Sequence, residues 1–126
     1  MRSEEKPHRK LKVWQAGMDF VAELYRDLEN FPAQEKFGLT AQLQRAAVSI
    51  PSNIAEGAAR KNTRELIQFL HVARGSLSEL DTQLEICLRV GHLERAAYDR
   101  LAGKLNEISR MLNGLIASLA TKEVRK

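Results

Sequence analysis

From residue 66 to residue 87 an apolar side chain recurs at every third or fourth position without a break: Leu66, Leu70, Ala73, Leu77, Leu80, Leu84 and Cys87. The opposite stripe (Arg64, Gln68, His71, Gly75, Ser78, Thr82, Glu85, Arg89) is polar or small throughout. Only an α-helix brings residues at that spacing onto one face. A capping signal, Asn62 followed three residues later by Glu65, starts it, and Gly91 ends it as a C′ residue. The spacing therefore predicts a helix over about Thr63–Val90, roughly 40 Å long at 1.5 Å per residue. A stripe of that length is covered only by other helices of similar reach.

The sequence supplies them. Leu11, Trp14, Met18, Val21, Tyr25 and Leu28 form one seam, widened by Val13, Phe20 and Leu24, which predicts a first helix over about Lys12–Asn30. Phe31-Pro32 ends it, because the residue before a proline is pushed out of helical geometry. After a polar loop to Gly38, a second helix is expected from an N-cap at Thr40 to about Ala58, with a core stripe of Leu39, Leu43, Ala46, Ile50, Asn53 and Gly57. It is rich in alanine, so neighbouring helices can approach on more than one side. Tyr98, Leu101, Leu105, Ile108, Leu112, Leu115 and Leu119 mark a fourth helix over about Arg95–Thr121. Four helices joined by short loops run antiparallel to their neighbours, so the fold expected is all-α, an up-down-up-down four-helix bundle. The 126 residues suffice for one domain over 11–121, flanked by a basic flexible arm at 1–10 and a basic tail at 122–126.

Charge is concentrated at the ends. The net charge of +4 divides into +3 over residues 1–12, +2 over 122–126 and −1 between them. That pattern fits a near-neutral body with basic extensions better than a body whose main surface is a groove for a polyanion. Lys10 and Lys12, with Arg60, Lys61 and Arg64 at the corner between helices two and three, are the candidate nucleic-acid contacts. No apolar run reaches the ~20 residues of a membrane span. The N-terminal residues lack the apolar core of a secretory signal. A lone Cys87 fits a reducing cytoplasm, the location expected.

Reaction chemistry is not assembled in the sequence. A di-metal bundle requires paired Glu-x-x-His motifs, and His8, His71 and His92 do not follow a glutamate at that spacing. All three read as solvated, and Cys87 reads as a buried structural thiol. The stretch Ser49–Gly57 (SIPSNIAEG) gathers hydroxyls, an amide and a carboxylate, yet no histidine lies near in sequence to serve as base to a serine nucleophile. Its phase places Asn53 among core residues. Ser49, Ser52 and Glu56 fall on a polar face with Arg45 and Arg60, where Glu56 pairs with Arg60 at i, i+4. Pro51 lacks an N–H for the carbonyl of Ala47 and is expected to kink the helix. Beside the core stripe, Ile67, Phe69 and Val72 make the first half of helix three apolar around most of its circumference, an excess that suggests a subunit interface. No catalytic residue, metal or cofactor is expected, and the chain reads as a non-enzyme.

Several runs carry a family resemblance: Leu11 to Gln15, Gly38-Leu39-Thr40 with Gln42-Leu43, Arg45 to Gly57, Glu65-Leu66, Phe69-Leu70, Gly75-Ser76, Glu79-Leu80, Arg110-Met111-Leu112 and Leu115-Ile116. The chain resembles, from residue 11 to 119, the bacterial four-helix-bundle proteins first noted as products of intervening sequences in 23S ribosomal RNA genes. The resemblance implies a homopentamer arranged as a ring. A distantly related branch serves as accessory proteins of diversity-generating retroelements, binding a reverse transcriptase and nucleic acid through a strongly basic surface. The near-neutral bundle departs from that branch. Two functions follow: a non-enzymatic oligomeric scaffold or adaptor for an unidentified protein partner, or a nucleic-acid-binding accessory protein acting with a reverse transcriptase or ribosomal RNA. Arg45, Ser49, Ser52, Glu56, Ile67, Phe69 and Val72 are the candidate interface residues, with Pro51 shaping their helix.

Overall fold

In a computed structural model the protein is described over residues 6–125, with side chains through Glu123. It is all-α among these residues. Helices α1 (Lys12–Leu28), α2 (Leu39–Ala58), α3 (Thr63–Arg89) and α4 (Arg95–Arg125) pack each on the next, and α4 closes back on α1. The core is a continuous apolar column in which Phe20, Leu24, Leu43, Ile50, Leu70, Leu80, Leu101 and Leu112 are fully buried. Each such side chain contributes on the order of 1.5–3 kcal/mol by leaving water.

Helix α1 turns a different face to the core from the one its spacing suggested. On α1 the buried residues are Val13, Gly17, Phe20, Leu24 and Leu28, whereas Met18 and Tyr25 are 44% and 41% exposed. The 3-4 seam through Trp14, Met18, Val21 and Tyr25 is therefore a second apolar stripe beside the core, not the core itself. It was misread because α1 is apolar on two adjacent faces and glycine carries no hydropathy signal at position 17. On α2 the expected Leu43, Ala46, Ile50 and Gly57 are buried, joined by Ala47, Pro51 and Ile54, whereas Leu39 and Asn53 are only half-buried. An amide sits more favourably at the edge of the α2–α3 contact, where it finds partners, than in the column.

The helix ends follow local chemistry. Asn62 caps α3 by accepting the Glu65 amide at 2.9 Å. Gly91, at φ +85°, closes it in a Schellman motif, with the His92 amide donating to Cys87 O at 2.9 Å and that of Gly91 to Leu88 O at 3.2 Å. Thr40 is not the N-cap of α2. The helix starts at Leu39, whose amide donates to Glu35 Oε1 at 3.3 Å, and the hydroxyl of Thr40 lies buried without a hydrogen bond.

Glu35 also ties the two loops at that end of the bundle together. Its Oε2 accepts from His92 Nε2 at 3.0 Å, and the His92 ring lies 5.9 Å from Phe31. His92 is thus a structural partner rather than a solvated histidine. The bond from His92, then that from the Leu39 amide, hold the Glu35 carboxyl below its usual range. A step inward, Arg100 of α4 grips α1 with Nη2 at 3.1 Å from both carboxylate oxygens of Asp27 and with Nη1 on Glu23. Burial works against the charge on Glu23, but Arg100 and Lys104 outweigh it and its carboxyl is also held low.

The described parts of the two basic extensions are helical. Pro7–Lys10 is a turn of 3-10 helix packed on α1 and α2. His8 meets the Trp14 ring edge-on at 4.9 Å, Arg9 lies 5.3 Å from it, and Gln15 donates to Arg9 O at 2.9 Å. The basic tail continues α4 as far as Arg125. Residues 1–5 of the expected arm and Lys126 of the expected tail lie outside the described residues.

At the α2–α3 corner the helices approach closely enough to exclude a side chain at Gly57. A Cβ on Gly57 would stand 2.7 Å from Phe69 Cβ and 3.3 Å from the Leu66 carbonyl, whereas one on Gly17 would meet Ile50 and Pro51 at 3.5–3.6 Å, ordinary contact. Gly57→Ala should lower stability by about 1–3 kcal/mol, as over-packing does. Gly17→Ala should be neutral or should stabilise by up to about 1 kcal/mol, since alanine is the better helix former. Urea midpoints of the two variants check the contrast. Because the folded Glu35 carboxyl lies below its unfolded value, its contribution is present above that value and disappears as pH falls through the folded one. Glu35→Gln should therefore lower the thermal midpoint at neutral pH and flatten its decline below about pH 4.5, measured as melting temperature against pH.

Candidate assembly face

Ser49–Gly57 occupies the last half of α2, and two of its polar groups, Ser49 and Asn53, are engaged inside the chain. Ser49 Oγ lies 2.8 Å from Ser76 Oγ of α3, and Asn53 Nδ2 donates both to Ser49 Oγ at 2.9 Å and to Ser49 O at 2.8 Å. Ser76 is buried. The hydroxyls thus knit α2 to α3. Neither serine has an adjacent base: their bonded partners are a hydroxyl, an amide and backbone carbonyls. Ser76 was missed in the sequence because a lone serine on a helix gives no signal until its partner at position 49 is known to face it. Glu56 pairs with Arg60 at 3.2 Å, the i, i+4 bond expected, and the Arg60 guanidinium stacks 4.8 Å from the Phe69 ring.

That stacking, with Gly57 lying against Phe69, keeps Phe69 half-buried within the chain, and Ile67 packs on the edge of the core. Of the three apolar residues on α3 outside the core stripe, Val72 is the one left open, at 53% exposure. With Ile86 and Val90 it forms a ridge along the outer side of α3. The larger open apolar surface lies between α1 and α2. There Trp14, Met18, Val21, Val48, Pro51 and Ala55 line a groove of about 350 Å³, joined by His8 and Ser52. Pro51 forms its floor at the point where Gly17 lets α1 come close, so the proline is a packing surface for two elements. Arg45, Ser52 and Glu56 are exposed on α2, and Arg45 has no ion-pair partner among the described residues.

The topology collects the basic candidates. The start of α1, the α2–α3 corner and the end of α4 share one end of the bundle, as the pairing of Arg74 with Asn113 and of Arg100 with Asp27 requires of antiparallel helices. Lys10, Lys12, Arg60, Lys61 and Arg64 are all exposed there. At this end Lys6, Arg9, Lys10, Lys12, Arg60, Lys61, Arg64, Lys122 and Arg125 are opposed by Glu56, Glu65 and Glu123, a net of +6 on a chain of +4. The remainder of the sequence is therefore slightly acidic.

Groups suited to chemistry are otherwise engaged. Cys87 is fully buried, and burial, then the charge of Glu35, push its thiol up to about 11. His71 Nδ1 lies 2.8 Å from Arg74 Nη2 on the exposed face of α3. Among the described residues no three side chains of the metal-ligating types come together, and no helix is long and apolar enough to cross a membrane.

No curated protein matches the sequence. Among solved structures the chain is similar to that of a protein with unknown function from the S23 ribosomal protein family of Bacteroides thetaiotaomicron. The two are 26% identical over 82% of this chain and 97% of that one, with a TM-score of 0.73. The sequence profile described as 23S rRNA-intervening sequence protein matches residues 9–114, which takes in all of α1, α2 and α3 and most of α4. With the Ser49–Gly57 motif at the centre of that span, the chain belongs to the 23S rRNA-intervening sequence protein family.

Proposed function

We propose that the protein is a non-catalytic scaffold that works as a ring of identical copies in the cytoplasm, five in number as the family resemblance implies. The observation that carries this reading is the apolar groove between α1 and α2. An open groove floored by proline and walled by tryptophan and methionine is costly to leave in water and fits a protein surface. The engagement of Ser49, Ser76, His92 and Cys87 in packing supports the absence of a reaction. Light scattering at micromolar concentration should return a mass near five times the 14.2 kDa of the chain. Met18→Asp, on the exposed wall of the groove, should reduce it toward that of one copy. A wild-type mass equal to a single chain removes the reading.

A second reading is favoured by the charged end. Nine cations drawn from three parts of the sequence, with three anions among them, suit the phosphate backbone of RNA or DNA, which binds by counterion release. The double variant Lys61→Glu/Arg64→Glu should abolish mobility shifts of RNA and DNA probes seen with the wild-type protein at low salt. Raising salt should weaken those shifts steeply. Wild-type protein that leaves every probe unshifted at low salt sets the nucleic-acid reading aside.

A further inference from the structure

We propose that the outer ridge of α3 in one copy seats in the α1–α2 groove of the next copy, with Glu79 of the ridge facing Arg45 beside the groove. The proposal rests on the self-assembly reading above and specifies which two faces meet.

The two surfaces differ in shape. One is concave, the groove lined by Trp14, Met18, Val48 and Pro51. The other is a convex helix face on which Val72 and Ile86 stand 53% and 43% exposed. A concave and a convex face on one chain pair heterologously, and such a contact closes into a ring when the rotation between copies divides a full turn.

Their charges are opposite. Residues 65, 72, 79, 86 and 90 fall within about 60° of one another around α3 at 100° per residue. The charged members of that set are Glu65 and Glu79, both acidic and exposed. Beside the groove stand Arg9, over the Trp14 ring, and Arg45, exposed on α2 without an ion-pair partner among the described residues. Complementary flanks of this kind orient a contact and exclude the reverse pairing.

The heights also agree. The Ser49–Ser76 bond fixes α2 against α3. From that level Arg45 lies four residues, and Glu79 three, toward the same loop end of the bundle. At 1.5 Å per residue the two are level to within about 2 Å. The contact of Gly17 with Ile50 and Pro51 likewise brings Met18 level with Gly75 and Ser76. Gly75 has nothing within 4 Å of where a Cβ would stand, so it leaves a notch in the ridge opposite the Met18 side chain. Copies related by rotation about an axis along the bundle keep every residue at its own height. Arg45 then meets Glu79, and Met18 meets the notch, without any shift along the axis.

A charge exchange tests the pairing. Glu79→Arg and Arg45→Glu should each weaken association roughly tenfold or more, because each sets like charges face to face. The double variant Glu79→Arg/Arg45→Glu should return the association constant to within about tenfold of wild type, as measured by sedimentation velocity. Gly75→Phe fills the notch from an open position, so it should keep the helical circular-dichroism spectrum and melting temperature while losing the assembly. Wild-type assembly with single reversals that leave the mass unchanged overturns the pairing. So does a double variant that fails to recover. A monomeric wild type instead sinks the self-assembly reading itself, so the two failures are distinguishable.

Discussion

The close approach of α2 to α3 governs the rest of the bundle. Gly57 admits Phe69 and the Leu66 carbonyl at a distance no side chain would tolerate, and the Ser49–Ser76 bond sets the register one face along. Each contact alone is modest; a hydrogen bond between hydroxyls contributes about 1 kcal/mol. Together they remove the freedom of the two helices to slide, which hydrophobic burial by itself does not do. Once α2 and α3 are fixed, α1 is positioned by Gly17 on Ile50 and Pro51, and α4 by Leu101, Leu105 and Leu112 in the remaining gap. The Ser49–Gly57 stretch is therefore a device for register. Its Pro51 serves as surface for α1, while its Ser49 bonds to α3 and its Asn53 holds Ser49 from within α2.

Much of this was legible in the sequence, for a physical reason. The long α3 stripe from Leu70 to Cys87 is apolar on one side and polar on the other, so a single phase fits it, and the structure buries those residues. Asn62, Gly91 and the Glu56–Arg60 pair are local signals that act within a turn or two of chain, and each formed as its spacing implies. What stayed hidden depended on contacts remote in sequence. Met18 and Tyr25 have the same hydropathy whether they face the core or a groove, and only the position of α2 tells the two apart. Ser76, Glu35 and His92 take their roles from partners 27 and 57 residues away. The candidate residues divide in the same manner. Arg45, Ser52 and Val72 lie open on the outer faces as their phase suggested, while Ser49 and Phe69 are drawn inward by neighbours the sequence does not announce.

The two ends of the bundle are built differently. At the loop end, Glu35–His92 and Arg100 with Asp27 and Glu23 join elements remote from one another in sequence. At the other end the Pro7–Lys10 turn leans on Trp14, and Arg60 bridges Glu56 and Phe69, both within a short span of chain. Cross-links between distant segments hold the first end closed.

The uneven charge along the axis sets a condition on any closed assembly of such bundles. A rotation carries every basic end to the same rim, so the +6 of one copy is repeated around a circle instead of being cancelled. Ordinary salt screens charge beyond about 8–10 Å, so the repulsion acts between neighbouring copies and weakens each contact around the circle. An anionic polymer lying along the rim would relieve that repulsion for all copies at once. It would act as a counterion shared by the whole circle.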